Sequence, residues 1–168
     1  NYILFAGRLE KDKGVEELLS TWQKASLTNT NLYIAGKGQL FNKLNTKFET
    51  DEIKFLGQLS HIETLDYIKN AKAVITNTQT YEGQPRLLCE ASSLGVPSLF
   101  PSFGGMVEFF PDDYEYSFKK FDEESLLDAL LKTTNNEVLL KESERVKNFI
   151  LKKLKKNKLL EEFEAYIL

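Results

Sequence analysis

AVITNTQTYEGQPRLLCEASSLGVPSLF, residues 73–100, reads as a complete strand–helix–strand unit. Ala73-Val74-Ile75-Thr76 is a short apolar, β-branched run, the composition of a strand covered on both faces. Arg86 to Leu94 is rich in helix formers and stops at Gly95-Val96-Pro97, where a helix-ending glycine precedes a residue that cannot continue the helix. Ser98-Leu99-Phe100 begins the next strand. Glu82 falls in the loop and Glu90 inside the helix. Both carboxylates can then face one small ligand over the helix N-terminus, where unpaired amides and the positive dipole end favour an anion.

The same alternation runs outward from this unit. Strand-like stretches at Tyr2–Ala6, Asn31–Ala35, Ile53–Phe55, Ala73–Asn77 and Ser98–Phe100 are separated by helical patterns. This predicts an α/β fold, a Rossmann-like, doubly wound parallel sheet with helices on both faces. Val15, Leu18, Leu19, Trp22 and Ala25 recur at helical spacing, so Trp22 belongs to the core. Further helices are expected at Leu40–Phe48 and Ile62–Lys69, the latter with Leu65 and Ile68 inward and a Ser60/Glu63 capping box at its start. After Pro101 the pattern predicts a loop through Ser102-Phe103-Gly104-Gly105-Met106, then helices over Glu123–Thr133 and from Glu137 onward. The terminal helix, about 145–168, is basic between Lys152 and Lys158 and carries Leu159, Phe163, Tyr166 and Ile167 on one face. Such a face calls for an apolar partner, and the lysines allow either a solvated surface or peripheral contact with anionic headgroups.

With 168 residues and 42% apolar content, the chain is sized for one domain with a sizeable core. A net charge of −3 gives no electrostatic case for nucleic acid, so any anion site must be local. Cys89 alone cannot form an internal disulfide, which fits a reducing compartment, and no apolar run approaches the roughly 20 residues that span a bilayer. The expectation is cytoplasmic. Since Asn1-Tyr2-Ile3-Leu4-Phe5 opens directly on a strand, the chain is also expected to be one domain of a longer protein.

In an open parallel sheet, ligands lie beyond the carboxyl ends of the strands. Gly7-Arg8-Leu9 and Lys13-Gly14 follow the first strand there, and Gly36-Lys37-Gly38 follows the second. Arg8 and Lys13 suit a diphosphate, one as a planar fork and the other as a point charge; as plain surface cations they would pair with Glu10 or Asp12. Gly57 and Gly104-Gly105 add glycines at further strand ends. A G-x-G turn without its third glycine, position 41 being Phe, argues against a nicotinamide enzyme, and no Walker A loop is present. One His and one Cys give no zinc spacing. His61 reads as a helix-start residue and Cys89 as a packed thiol.

Taken in order, Gly7-Arg8-Leu9 with Lys13-Gly14, Gly36-Lys37-Gly38, Lys54-Phe55-Leu56-Gly57, Glu82-Gly83 with Glu90-Ala91, Gly95-Val96-Pro97, and Gly104-Gly105 with Glu108 resemble the C-terminal domain of retaining glycosyltransferases of family 4. The match spans roughly the first 110 residues. The resemblance implies one half of a GT-B fold: two Rossmann-like domains with the active site between them, donor on the C-terminal half and acceptor on the N-terminal half. It implies sugar transfer from a UDP- or GDP-linked donor, with no metal or other cofactor. The terminal helix would cross to the missing N-terminal domain. The acceptor would be a sugar or lipid-linked glycan in polysaccharide or glycolipid synthesis, at the inner face of the membrane where contact occurs.

On this pattern Arg8 and Lys13 neutralise the donor diphosphate, Glu82 lies near the donor sugar and Glu90 takes the ribose hydroxyls. Gly7, Gly36, Phe55, Gly83, Gln84, Arg86 and Leu87 line the donor, with the base near Ile53 to Leu56. The chain departs from the family where many members read E-G-F-G-L and this one reads Glu82-Gly83-Gln84-Pro85-Arg86. Proline cannot donate an amide, so Gln84 and Arg86 are expected to supply side-chain donors, and Arg86 can equally face solvent. A retaining hydrolase needs its carboxyls about 5 Å apart and gives Arg8 and Lys13 no task, so transfer is favoured over hydrolysis. Two other readings stay open: a nucleotide-sugar epimerase shares the fold, and a non-catalytic binding module would have lost the charged set.

Overall fold

The computed structural model describes residues 1–155. The strands are β1 (Tyr2–Ala6), β2 (Asn31–Ala35), β3 (Ile53–Gly57), β4 (Ala73–Ile75), β5 (Ser98–Pro101) and β6 (Ser117–Phe118). They form one parallel sheet in the order β3-β2-β1-β4-β5-β6, the doubly wound arrangement. The helices are α1 (Val15–Ala25), α2 (Phe41–Phe48), α3 (His61–Asn70), α4 (Arg86–Ser93), α5 (Glu123–Lys132) and α6 (Asn136–Lys153). From β1 the chain steps one way through β2 to β3, and from β4 it steps the other way to β5. Right-handed crossovers therefore put the intervening helices on opposite faces. Consistent with this, α1 packs on α5, while α4 packs on α3 and α6.

Apolar side chains of the central strands are almost wholly buried: Ile3, Leu4, Phe5, Leu32, Ile34, Val74, Ile75 and Leu99. Against them α1 lays Val15, Leu18, Leu19 and Trp22, the last only 3% exposed. Ile68 is buried and Leu65 half-buried on α3, whose start carries the expected capping box: Ser60 Oγ accepts from Glu63 N at 3.2 Å and Glu63 Oε2 from Ser60 N at 2.7 Å.

Differences from the sequence reading have local causes. β4 stops at Ile75 because the following residues fold onto the β1–α1 turn: Gln79 N donates to Asp12 O at 2.7 Å and Asn77 Nδ2 to Gly14 O at 2.8 Å. β3 runs on to Gly57, whose carbonyl accepts from Gly36 N at 2.7 Å. β6 has two residues, too few for a periodic signal, and Gly104–Phe109 is a 3-10 turn rather than open loop. Leu159, Phe163, Tyr166 and Ile167 lie outside the described residues, as does the end of the basic run.

Candidate functional site: a crevice at the switch point of the sheet

Strand order reverses between β1 and β4, and the ligand crevice of such a sheet opens there. Two adjoining hollows occupy this edge. The larger, about 540 Å³, is walled by Gly7, Arg8, Gly36, His61, Arg86 and Glu90 among others. The smaller, about 150 Å³, runs under the start of α4 past Lys13, Glu82, Pro85 and Met106, and shares Ala6, Gly7, Arg86 and Leu87 with the first.

The floor is built from turns that lock into one another. Gly36 has φ +135°, and a Cβ there would sit 1.8 Å from the Gly7 carbonyl oxygen. Gly14, at φ +59°, would place a Cβ 2.3 Å from Asn77 O. Neither site tolerates a side chain, so the β1 turn is clamped by the β2 turn on one side and the β4 loop on the other. Leu9 N donates to Lys37 O at 2.9 Å and Leu40 N to Leu9 O at 3.0 Å, completing the clamp. Arg8 and Lys13 project from a rigid base.

The charged groups divide into two sets. Lys13 Nζ is hydrogen-bonded to Glu82 Oε1, which also accepts from Thr78 Oγ1 at 3.3 Å. Thr78 is buried, while the Lys13 and Glu82 side chains stay partly open to water. At the other end Glu90 Oε1 meets His61 Nε2 at 3.0 Å and Arg86 Nε at 3.6 Å. Arg8 is 70% exposed and among the described residues its one ion pair is with Asp12, at 3.8 Å, which leaves its guanidinium able to swing to a ligand. Between the sets lies the start of α4, with Pro85 at its N-cap position, no side-chain cap and no acidic residue in its first turn. Its first residues, Arg86 and Leu87, line the smaller hollow, where the positive end of the dipole favours an anion. Among the described residues, no three His, Cys, Asp or Glu side chains converge as a metal site. Cys89 packs into the core side of α4, where burial pushes its thiol up to about 11, so it is no nucleophile.

Residues 1–153 match the model of the glycosyl transferases group 1 family. The chain belongs to that family. Curated relatives of this group 1 domain include a glycogen synthase of Mycobacterium tuberculosis, 30% identical over 112 residues that make up 63% of this chain and 27% of the relative. The amylovoran biosynthesis glycosyltransferase AmsD of Erwinia amylovora is 28% identical over 115 residues, 67% of this chain and 33% of the relative. The chain thus spans about a third or less of these relatives' length. Among solved structures, the catalytic domain of a Helicobacter pylori cholesterol-α-glucosyltransferase superposes with TM-score 0.78 at 17% identity, covering 90% of this chain and 97% of that one. Anabaena HepE in complex with UDP and glucose gives 0.81 at 12% identity, covering 99% and 47%. These likenesses fix the fold as that of GT-B glycosyltransferase domains.

Within the group 1 domain, Arg8, Lys13, Glu82, Glu90, Gly7, Gly36, Arg86 and Leu87 all come to the two joined hollows. Three expected residues do not line them. Phe55 turns its ring against Phe41, centroids 6.0 Å apart, and the wall at that end is Gln58 and Leu59 instead. Gln84 lines an adjoining recess with Leu65, Cys89 and Leu154, which shares Arg86 and Glu90 with the larger hollow. Gly83 stacks its carbonyl under Gly105, where a Cβ would sit 2.2 Å away, making it part of the loop's scaffold. Pro85 is the residue capping α4 rather than within its first turn. His61 is the residue the sequence reading set aside. Its signal was present: it opens a helix directly after a strand's carboxyl end, the position that faces the crevice.

Proposed function

We propose that this chain is the donor-binding, C-terminal half of a two-domain retaining glycosyltransferase that moves a sugar from a nucleotide diphosphate sugar without a metal ion. The acceptor is a glycan or lipid-linked glycan, and the setting is the cytoplasm or the inner membrane face. The observation that carries this reading is the convergence of Arg8, Lys13 and the uncapped start of α4 on one crevice, with Glu82 and Glu90 at its ends. Breaking the bond between sugar and diphosphate leaves about one further negative charge on the departing phosphate. Preorganised cations and helix amides stabilise that charge where a metal would otherwise do so. Glu82 then sits beside the sugar and Glu90, steadied by His61, reaches the ribose. A donor half leaves the acceptor unheld, so residues 1–168 alone should bind donor without appreciable transfer.

HepE and another structural neighbour, TarM of S. aureus, have been seen with UDP, which supports starting with uridine donors. Calorimetric titration with UDP, GDP and their sugars tests the proposal. Binding is expected, and Arg8→Ala and Lys13→Ala should each weaken it by about 2–3 kcal/mol if each makes a charged hydrogen bond to phosphate. Absence of binding, or affinity indifferent to both changes, sinks the reading. Inversion of a sugar carbon with release of nucleotide in the absence of acceptor would mark an epimerase instead.

A further inference from the structure

A second cavity of about 460 Å³ opens between α1 and α5, on the far side of the Asn77–Gln79 loop, and shares no wall residue with the Arg8–Glu90 crevice. That size lies within the roughly 300–1,000 Å³ of small-ligand sites. Phe121 stands at its rim, 74% exposed and at φ +59°. A bulky L-residue is disfavoured in the left-handed region, and this one buries almost nothing in return. The bend itself has a local purpose: Asp122 N donates to Lys119 O at 3.3 Å, and Asp122 Oδ1 caps α5 by accepting from Ser125 N at 2.9 Å. Glycine or asparagine would make that bend with less strain. A strained, exposed aromatic at the mouth of a cavity is instead a contact surface.

The chemistry of the wall selects the ligand. Both lysines are engaged: Lys24 with Glu123, and Lys120 above the rings of Phe103 and Phe121, 3.9 and 4.7 Å from their centroids. Glu16 is paired with Lys43 and Lys47, and Glu17 and Asp122 add negative charge to the lining, so a phosphate or carboxylate ligand is disfavoured. A cation is disfavoured too, because Lys120 already occupies the Phe121 ring. Glu17, Ser20 and Gln79 keep side-chain polar groups without partners among the described residues. An uncharged, hydroxyl-rich molecule with an apolar face meets all of these conditions: a sugar ring laid on Phe121, its hydroxyls toward Glu17, Ser20 and Gln79.

We propose that this cavity is an accessory saccharide-binding site, separate from the donor crevice and independent of the transferase reading. Thr78 lines the cavity and donates to Glu82 at 3.3 Å, so one loop serves both sites.

The test is saturation-transfer NMR and calorimetry of the protein with neutral gluco-, galacto- and manno-configured di- to tetrasaccharides, with choline and inorganic phosphate as charged probes. At least one saccharide should bind. Phe121→Ala should weaken it about tenfold or more, Phe121→Tyr should restore it, and the nucleotide affinity of the crevice should be unchanged in both. Arg8→Ala should leave the saccharide bound. Because Phe121 is exposed and strained, its replacement by alanine or glycine should not lower the melting temperature, which separates lost contact from lost fold. The proposal is overturned if nucleotide binds but no saccharide does, if saccharide binding survives Phe121→Ala, if Arg8→Ala abolishes it, or if choline or phosphate takes the site instead. Phe121-dependent saccharide binding without any nucleotide binding would strike the transferase reading and leave this subsite standing.

Discussion

Lys13 is bound to Glu82, whose carboxylate offsets its charge, so on the proposed reading a donor diphosphate competes with that pair. Glu82→Gln removes the competing charge and keeps the shape. The side chains are 18% and 33% accessible, which places the pair between an exposed bridge, about 0–1 kcal/mol, and a buried one, about 3–5 kcal/mol for loss of a partner. With screening at the Glu82 end, roughly 1–2 kcal/mol is at stake, a factor of about 5–30 in affinity. Glu82→Gln should therefore bind UDP or GDP about 5- to 30-fold tighter by calorimetry, while sugar transfer by the complete enzyme falls. Removing a carboxylate also lessens plain repulsion of an anion, so the decisive comparison is a double-mutant cycle. In a Lys13→Ala background, Glu82→Gln should gain much less. Equal gains in the two backgrounds, or weaker nucleotide binding by Glu82→Gln alone, would show that the pair does not gate the diphosphate.

Other consequences follow from single contacts. His61→Ala frees Glu90 from its 3.0 Å partner, so donor KM should rise about 3- to 10-fold with little change in kcat, at a cost of about 1 kcal/mol; a fall confined to kcat would place His61 in the chemistry. Gly36→Ala forces a Cβ to within 1.8 Å of the Gly7 carbonyl at φ +135° and should cost about 3 kcal/mol or more in denaturant unfolding. With its thiol pushed up to about 11 by burial, Cys89 stays protonated through neutral pH, and alkylation at pH 8 should require unfolding. Arg145→Ala strips the buried Glu142 carboxylate of its 3.1 Å ion-pair partner and should destabilise the fold by about 3 kcal/mol, read as a lowered denaturation midpoint.

Much of this was legible in the chain because the informative signals were local. The strand runs and the helical spacing of Val15, Leu18, Leu19 and Trp22 report burial, and burial was what the structure returned. The capping box at Ser60 and Glu63 spans three residues and needs no tertiary knowledge. What sequence could not show was pairing across the site. Lys13 and Glu82 lie 69 positions apart, and only folding of the Asn77–Gln79 loop onto the Lys13-Gly14 turn brings them together. The same holds for His61 and Glu90, 29 positions apart on two helices that pack only once the sheet is formed. The packing of the Phe55 ring on Phe41 was not legible because a strand's period assigns a residue to a face of the sheet but not to a neighbour.

The interlocked turns also separate two properties that share the crevice. Arg8 and Lys13 rest on a base fixed by Gly14, Gly36 and the carbonyls pressed against them, so few changes there survive folding. The Glu82-to-Arg86 segment is differently constrained. Gly83 is held against Gly105, yet Gln84 lines a recess adjoining the crevice through Arg86 and Glu90, and Arg86 is 84% exposed. Pro85, the N-cap of α4, has no N–H of its own, so on the proposed reading substitutions at positions 84 and 86 can alter what the sugar meets without moving the cations. On the proposed reading, diphosphate stabilisation belongs to the rigid turns, and donor-sugar choice to the side chains of the segment between Glu82 and Arg86.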